Sequence, residues 1–163
     1  MSGVDELVDA LRGAQFSVFR LEARQDYADD PQWQAFLAGQ DWEKNVDLAA
    51  WTELVRSNVA RGVTMQRVHV VTRPWTPYVR FEVEQHYPHN REAGEDVRLV
   101  QAEQTWDAPD FWMVDDSRAW LLVYDSGGAM TVVRAAERTL PALRQWRDQA
   151  LASTVDLNSP LSA

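Results

Sequence analysis

The stretch from Asp96 to Ala135 constrains the fold most. It holds four short apolar runs, Asp96–Val100, Phe111–Val114, Ala119–Tyr124 and Met130–Ala135, with "DDSR" and "DSGG" between the last three. Short runs rich in β-branched and aromatic residues, broken by Asp, Ser and Gly, read as strands joined by hairpins. Hairpin-joined strands are antiparallel. Upstream, "VTMQRVHVV" (63–71) is rich in β-branched residues and reads as a buried strand. The remaining patterns are mostly helical. Val4, Leu7, Val8 and Leu11 share one face of a helix over Val4–Arg12, stopped by Gly13. A helix starts at Pro31, runs to about Ala38 and stops at Gly39. A longer one spans Leu48–Arg61, with Asp47 as its cap, a Leu48, Trp51, Val55 and Val59 stripe, and Gly62 as its end. Thr139 is expected to cap a last helix, Leu140–Leu151.

Two segments resist this reading. Gln15–Glu22, "QFSVFRLE", is a short extended or irregular apolar stretch. Tyr78–Gly94 alternates like a strand at Val79, Phe81 and Val83, yet ends in "NREAGE", where Gly94 resembles a helix C-cap. A helix is the expectation, although Pro88 removes one of its internal hydrogen bonds. A strand–helix–strand unit from Val63 to Val100 suits a right-handed crossover between parallel strands. The fold class expected is therefore α+β, a mixed α/β arrangement. N-terminal helices precede a mixed, partly antiparallel sheet with flanking helices, in one domain over residues 1–152. The tail from Ser153 to Ala163 is expected to fray.

A chain of 163 residues is long enough for one real core. It has no cysteine, which excludes disulfides, thiolate metal sites and a cysteine nucleophile, and fits a reducing cytoplasm. No basic region precedes an apolar run at the N-terminus, and no apolar stretch approaches the roughly 20 residues of a membrane span. The net charge is −9. Phosphate contacts supply most non-specific affinity for nucleic acid, so direct binding to it is not expected. Lys44 is the only lysine among sixteen basic residues. Eight tryptophans are many for this length, and so many indole N–H groups are hard to satisfy in one small core. Some are expected to line a cleft, and Trp42, placed in a loop, to be the most exposed.

Asp115 and Asp116 invite an acid–base reading. Adjacent residues of a regular strand point to opposite faces, so the two cannot form a carboxylate dyad. A turn-forming role is the simpler expectation. His69, inside a strand, is expected to be a packing residue rather than a ligand. His86 and His89 stand three apart, but Pro88 lies between them and no acidic ligand has a standard spacing, so no metal is expected. No H-E-x-x-H, G-x-S-x-G or glycine-rich phosphate loop is present, and no cofactor is expected. A more promising set is Arg67, Tyr78, Arg80, Glu95 and Arg98, which could gather at one end of the sheet, where open α/β sheets place ligands. Beside Tyr78 and Trp112, such arginines suit a planar or anionic small molecule.

"FRLEARQDY", "RVHVV…P…PYVRFE", "N…AGEDVR" and "DFWMVDD", in this order, resemble an actinobacterial family, the domain of unknown function 6879 family. The resemblance runs from Phe16 to Leu151. Matching positions include Arg20, Glu22 and Tyr27, then Arg67, Tyr78 and Arg80, then Glu95 and Arg98, then Trp112, Asp115 and Asp116. The chain departs at "YPHN", where Pro88 interrupts a segment that looks helical in the family. The family has no settled activity. Its members sit beside helix-turn-helix regulators or in specialised-metabolite neighbourhoods. The resemblance thus implies a regulatory module whose partner is such a regulator, another protein or a small molecule. A fainter similarity is to half of a phospholipase D-like fold, in degenerate form, since the H-x-K-x(4)-D string of that chemistry is absent.

The leading expectation is a cytoplasmic binding or regulatory module with no membrane or direct nucleic-acid partner. The alternative is a small enzyme of specialised metabolism acting on an anionic or planar molecule. The expected ligand-binding residues are Arg20, Arg67, Tyr78, Arg80, Glu95, Arg98, Trp112, Asp115 and Asp116.

Overall fold

The computed structural model describes residues 1–155. Six strands form one sheet in the order β3-β2-β1-β4-β5-β6. They are β1 (Ser17–Glu22), β2 (Thr64–Thr72), β3 (Asp96–Ala102), β4 (Asp110–Val114), β5 (Arg118–Tyr124) and β6 (Met130–Arg134). The first three are mutually parallel, and β4, β5 and β6 add on antiparallel. The sheet is thus mixed and partly antiparallel, with flanking helices: an α+β fold.

"SVFRLE" is a strand, and a central one, flanked by β2 and β4. Its alternation is clear once the polar residues are counted: Val18, Arg20 and Glu22 share one face, Phe19 and Leu21 the other. Both faces are covered, which is why nearly every residue of β1 is buried. Helices α1 (Gly3–Arg12) and α3 (Val46–Ala60) place Leu7, Leu11 and Val55 against Val18, Met65, Val114 and Trp120 on the first face. Helix α6 (Leu140–Ala152) lays Leu140, Leu143 and Ala150 on the second, against Phe19, Leu21, Val68 and Phe111.

From Pro77 to Ala93 the chain is helical throughout, in three pieces. Helix α4 (Pro77–Phe81) leads into a π-helical turn, Glu82–His86, and then α5 (Tyr87–Ala93). The turn accommodates Pro88. The Tyr87 N–H reaches back to the Glu82 carbonyl, so the wider coil continues where an α-helical ladder would be broken. Gly94 then ends α5 at φ 111°, and a Cβ there would stand 3.1 Å from Val59. That stop aims Glu95 back under the sheet.

Several local expectations are corrected. The side chain capping α3 is that of Asn45, two residues before Asp47, whose backbone N–H it accepts. Thr139 makes no side-chain cap, because a 3₁₀ turn over Glu137–Thr139 already leads into α6. Trp42 is buried, with Leu48 and Phe81 packed around it. Of the tail, Val155 pairs with Leu99 beside β3; residues 156–163 lie outside the described residues.

Asp115 and Asp116 shape the β4–β5 turn, both in left-handed backbone conformation (φ 53° and 57°). Their side chains differ in role. The Asp115 carboxylate accepts the backbone N–H groups of Gln15, Phe16 and Ser17, tying the turn to the start of β1. Asp116 faces outward and pairs with Arg144 and Arg147 of α6. Glycine suits both backbone angles, so a glycine scan separates the two roles. Asp115→Gly should lower unfolding free energy by about 1–2 kcal/mol through the lost charged acceptor. Asp116→Gly should change it by less than about 1 kcal/mol, as expected for an exposed ion pair. Urea denaturation of both variants checks this.

Candidate functional site: a charged cavity on one sheet face

The alternation of β1, β2 and β4 puts Arg20, Arg67 and Trp112 in one row, since Arg20 is in register with both of the others. Two buried guanidinium groups side by side repel, and three buried carboxylates answer them. Glu22 pairs with Arg67 and, at 3.5 Å, with Arg20. Glu95 accepts from Arg67 Nε at 3.0 Å. Asp110 lies 3.5 Å from Arg20 Nη2. The carboxylates are anchored in turn. Glu95 Oε1 accepts from Trp51 Nε1 (3.0 Å) and Asn90 Nδ2 (2.7 Å). Asp110 accepts from the Ala23 N–H at 2.9 Å and, very closely, from the Tyr27 hydroxyl. Both guanidinium groups also lie over the Trp112 ring, at 5.3 and 5.5 Å from its centroid.

Burial alone would raise Glu22. Arg67 and Arg20, with His69, outweigh that and hold its carboxyl at about 2. Burial likewise works against the arginine charges, and Glu95 and Glu22 keep Arg67 firmly protonated. His69 is fully buried. Its Nε2 donates to the Arg24 carbonyl at 2.7 Å, and its Nδ1 faces the Tyr87 hydroxyl at 2.7 Å. It is a satisfied core histidine, as its setting in a strand suggested.

Above Arg20, Arg67 and Trp112 opens a cavity of about 390 Å³. Tyr27, Tyr78, Leu122 and Tyr124 line it, with Met130 and the Arg24–Gln32 segment at its mouth. The cavity thus lies on one face of the sheet, toward the C-terminal end of β1, and loop residues from both halves of the sheet border it. Burial raises Tyr124 to about 12, although the nearby Arg20 charge pulls it back. Arg20 is 5 % exposed, and its Nη1 makes no hydrogen bond of normal geometry. A buried donor without a partner costs roughly 1–3 kcal/mol.

One wall carries a second linked set. Asp30 Oδ1 caps α2 (Pro31–Leu37), and its Oδ2 lies 2.8 Å from the Tyr78 hydroxyl. That hydroxyl is also 2.6 Å from Glu82 Oε1, and His86 Nδ1 is 3.1 Å from Glu82 Oε2. One phenolic proton cannot serve two carboxylates. Burial and the charge of Glu82 raise Asp30, whereas His86 outweighs burial at Glu82 and lowers it. Asp30, Glu82 and His86 also offer ligand atoms within 4.8 Å of one another, a spacing that could hold a metal ion, with the Tyr78 hydroxyl between the two carboxylates. His89 points elsewhere, to Glu43 at 3.4 Å, so the two histidines do not converge.

Of the residues picked from sequence, Arg20, Arg67, Tyr78 and Trp112 line the cavity, and Glu95 stands directly behind Arg67. The other four lie apart from it. Arg80 is on the outer face of α4, paired with Glu84. Arg98 neighbours Val97, the register partner of Arg67, so pleating sends it to the opposite face of the sheet, where it pairs with Asp96. Asp115 and Asp116 sit at the far end of β4 from Asp110. Glu22 and Tyr27 were matched to the family but not counted among the ligand-binding residues, and Asp110 and Tyr124 were missed altogether. The alternation in "SVFRLE" was the available signal for Glu22.

Glu22 predicts a pH dependence. Its ordinary value is 4.5 and its folded value about 2. Because the folded value is depressed, its stabilisation is complete above about pH 4.5 and is lost as pH falls toward 2. At about 1.36 kcal/mol per pH unit this is on the order of 3 kcal/mol. Urea unfolding from pH 5 to 2 should show a steeper loss in the native chain than in Glu22→Gln. Parallel losses would contradict the assignment.

No helix among the described residues is long and apolar enough to cross a membrane. Solved structures of similar fold include TrmBL2, an archaeal chromatin protein whose structure shows a novel mode of DNA binding. It shares 11 % identity at a TM-score of 0.54, over 95 % of this chain and 51 % of that one, so the chain spans about half of its length. At that identity the likeness is one of fold. No curated protein matches the sequence. A family model described as a domain of unknown function (DUF6879) matches residues 5–159. The chain therefore belongs to the domain of unknown function 6879 family.

Proposed function

We propose that this chain is a binding module whose ligand is a small, ring-bearing molecule held in the cavity over Arg20 and Trp112. The observation that carries the reading is the combination of a buried guanidinium lacking one hydrogen-bond partner with aromatic walls around a cavity of about 390 Å³. Ligand sites of this kind are concave, largely apolar and fixed by a few polar groups. An acceptor oxygen on the ligand supplies what Arg20 lacks. The aromatic lining of Tyr27, Tyr78, Trp112 and Tyr124 suits a ring-bearing ligand.

Direct contact with nucleic acid is not part of the proposal. The net charge is −9, and the mouth of the cavity carries Asp26 and Asp29. The DNA binding of the archaeal relative is therefore not carried over. The family resemblance supports a regulatory setting, in which the liganded module contacts a partner protein such as a helix-turn-helix regulator. A second reading, a small enzyme, draws on the proton held between Asp30, Tyr78 and Glu82 at the cavity wall. Turnover of a bound compound would favour it.

The test is a thermal-shift screen of ring-bearing metabolites against the whole chain. A ligand at about 100 times its Kd adds roughly 2.7 kcal/mol of stability. Met130→Trp, at the cavity mouth, should abolish the shift while leaving the unliganded melting temperature within a few degrees. A hit whose effect survives this substitution, or no hit at all, contradicts the proposal.

A further inference from the structure

Which ligand chemistry fits depends on which polar groups around the cavity already have partners. Arg67 is held by Glu22 and Glu95. The Arg24 guanidinium rests over the Tyr124 ring at 4.2 Å, with its Nε on the Asp26 carbonyl. The Asp30 carboxyl is shared between the α2 cap and Tyr78. Two kinds of charged group bear most directly on the charge of a ligand. Arg20, in the lining, has an Nη1 that makes no hydrogen bond of normal geometry, although the Tyr124 hydroxyl interacts with the same guanidinium. At the exposed mouth, neither the Asp26 nor the Asp29 carboxylate takes part in a hydrogen bond or ion pair among the described residues, and both line the cavity.

These groups have opposite signs and lie at opposite ends of an aromatic-walled space. A simple anion seated on Arg20 would leave the Asp26 and Asp29 carboxylates at the mouth with no opposite charge on the ligand. A simple cation held at the mouth would leave Arg20 short of its partner. A molecule with both charges, separated by the depth of the cavity, answers each end. Resting on the small-molecule reading above, we infer that the cavity takes a zwitterionic ring compound, its carboxylate directed to Arg20 and its ammonium group to Asp26 and Asp29. Arg20 Nη1 is shielded from water. A ligand carboxylate that bonds Nη1 itself has to displace a neighbouring side chain.

The experiment uses four probes that share one ring: tryptophan (both charges), indole-3-propionate (anion), tryptamine (cation) and indole (neither). Each is titrated into the whole chain by calorimetry. Tryptophan should bind at least tenfold tighter than the other three. In the Asp26→Asn/Asp29→Asn variant, whose exposed positions leave folding intact, tryptophan should weaken about tenfold, whereas indole-3-propionate should bind as well as before or better. Indole-3-propionate or tryptamine equalling tryptophan overturns the inference and leaves the small-molecule reading standing. So does a metabolite screen whose hits carry only one charge or none, when none of the four probes binds. If neither probes nor screen yield a ligand, both readings fall.

Discussion

Two arginines side by side in the middle of a buried sheet face are the constraint on which the rest of the structure depends. Arg20 and Arg67 are register partners on adjacent parallel strands, each 9 % exposed or less. Like charges in that relation are destabilising, and removing a charge from water costs several kcal/mol more. The fold answers with three carboxylates, two of them from segments distant in sequence. Glu22 comes from the same strand, Glu95 from the turn after α5, and Asp110 from the first position of β4. Each arrives because a local device delivers it: strand alternation, the Gly94 stop, and the antiparallel return of β4 alongside β1. The network therefore joins the parallel half of the sheet to the antiparallel half.

This arrangement also shapes the cavity. Apolar residues at positions 20 and 67 would let α1 and α3 cover the whole face, as they do around Val18 and Met65. The charged pair interrupts that apolar layer instead, and aromatic rings border the interruption. Tyr27, Tyr78 and Tyr124 each combine a flat apolar ring with one hydroxyl, so they can stand beside charge without leaving a large unmet polar surface. Tyr27 closes on Asp110, and Tyr78 bridges Asp30 and Glu82. The walls of the cavity are thus continuous with the buried network beneath it.

Much of the architecture was legible in the sequence because local signals agreed with tertiary demands. The hairpin turn at Asp115, the strand at residues 63–71 and the helix stops at Gly62 and Gly94 all stand close to where composition and periodicity put them. Pro88 seemed to oppose a helix, yet a π turn, which depends on backbone geometry rather than residue type, removes the conflict. The site was legible in part. Arg20, Arg67, Tyr78 and Trp112 converge on the cavity, and Glu95 supports it from behind. Arg98 failed because one step along a strand changes the face, and register alone decides which face is buried. Arg80 failed because its helix turns it to solvent. Asp110 was overlooked beside the more conspicuous Asp115 and Asp116, although it is the aspartate of the three that lies buried.

The most direct test of the central claim is a double-mutant cycle between Arg67 and its two carboxylates, read by urea denaturation at pH 7. Arg67→Met alone strands Glu22 and Glu95 in the interior and should cost about 3–5 kcal/mol. Adding Glu22→Gln and Glu95→Gln to that variant should restore a large part of the loss, giving a coupling energy of about 2 kcal/mol or more. Additive losses, with a coupling within about 0.5 kcal/mol of zero, would mean that these charges do not act as one buried unit.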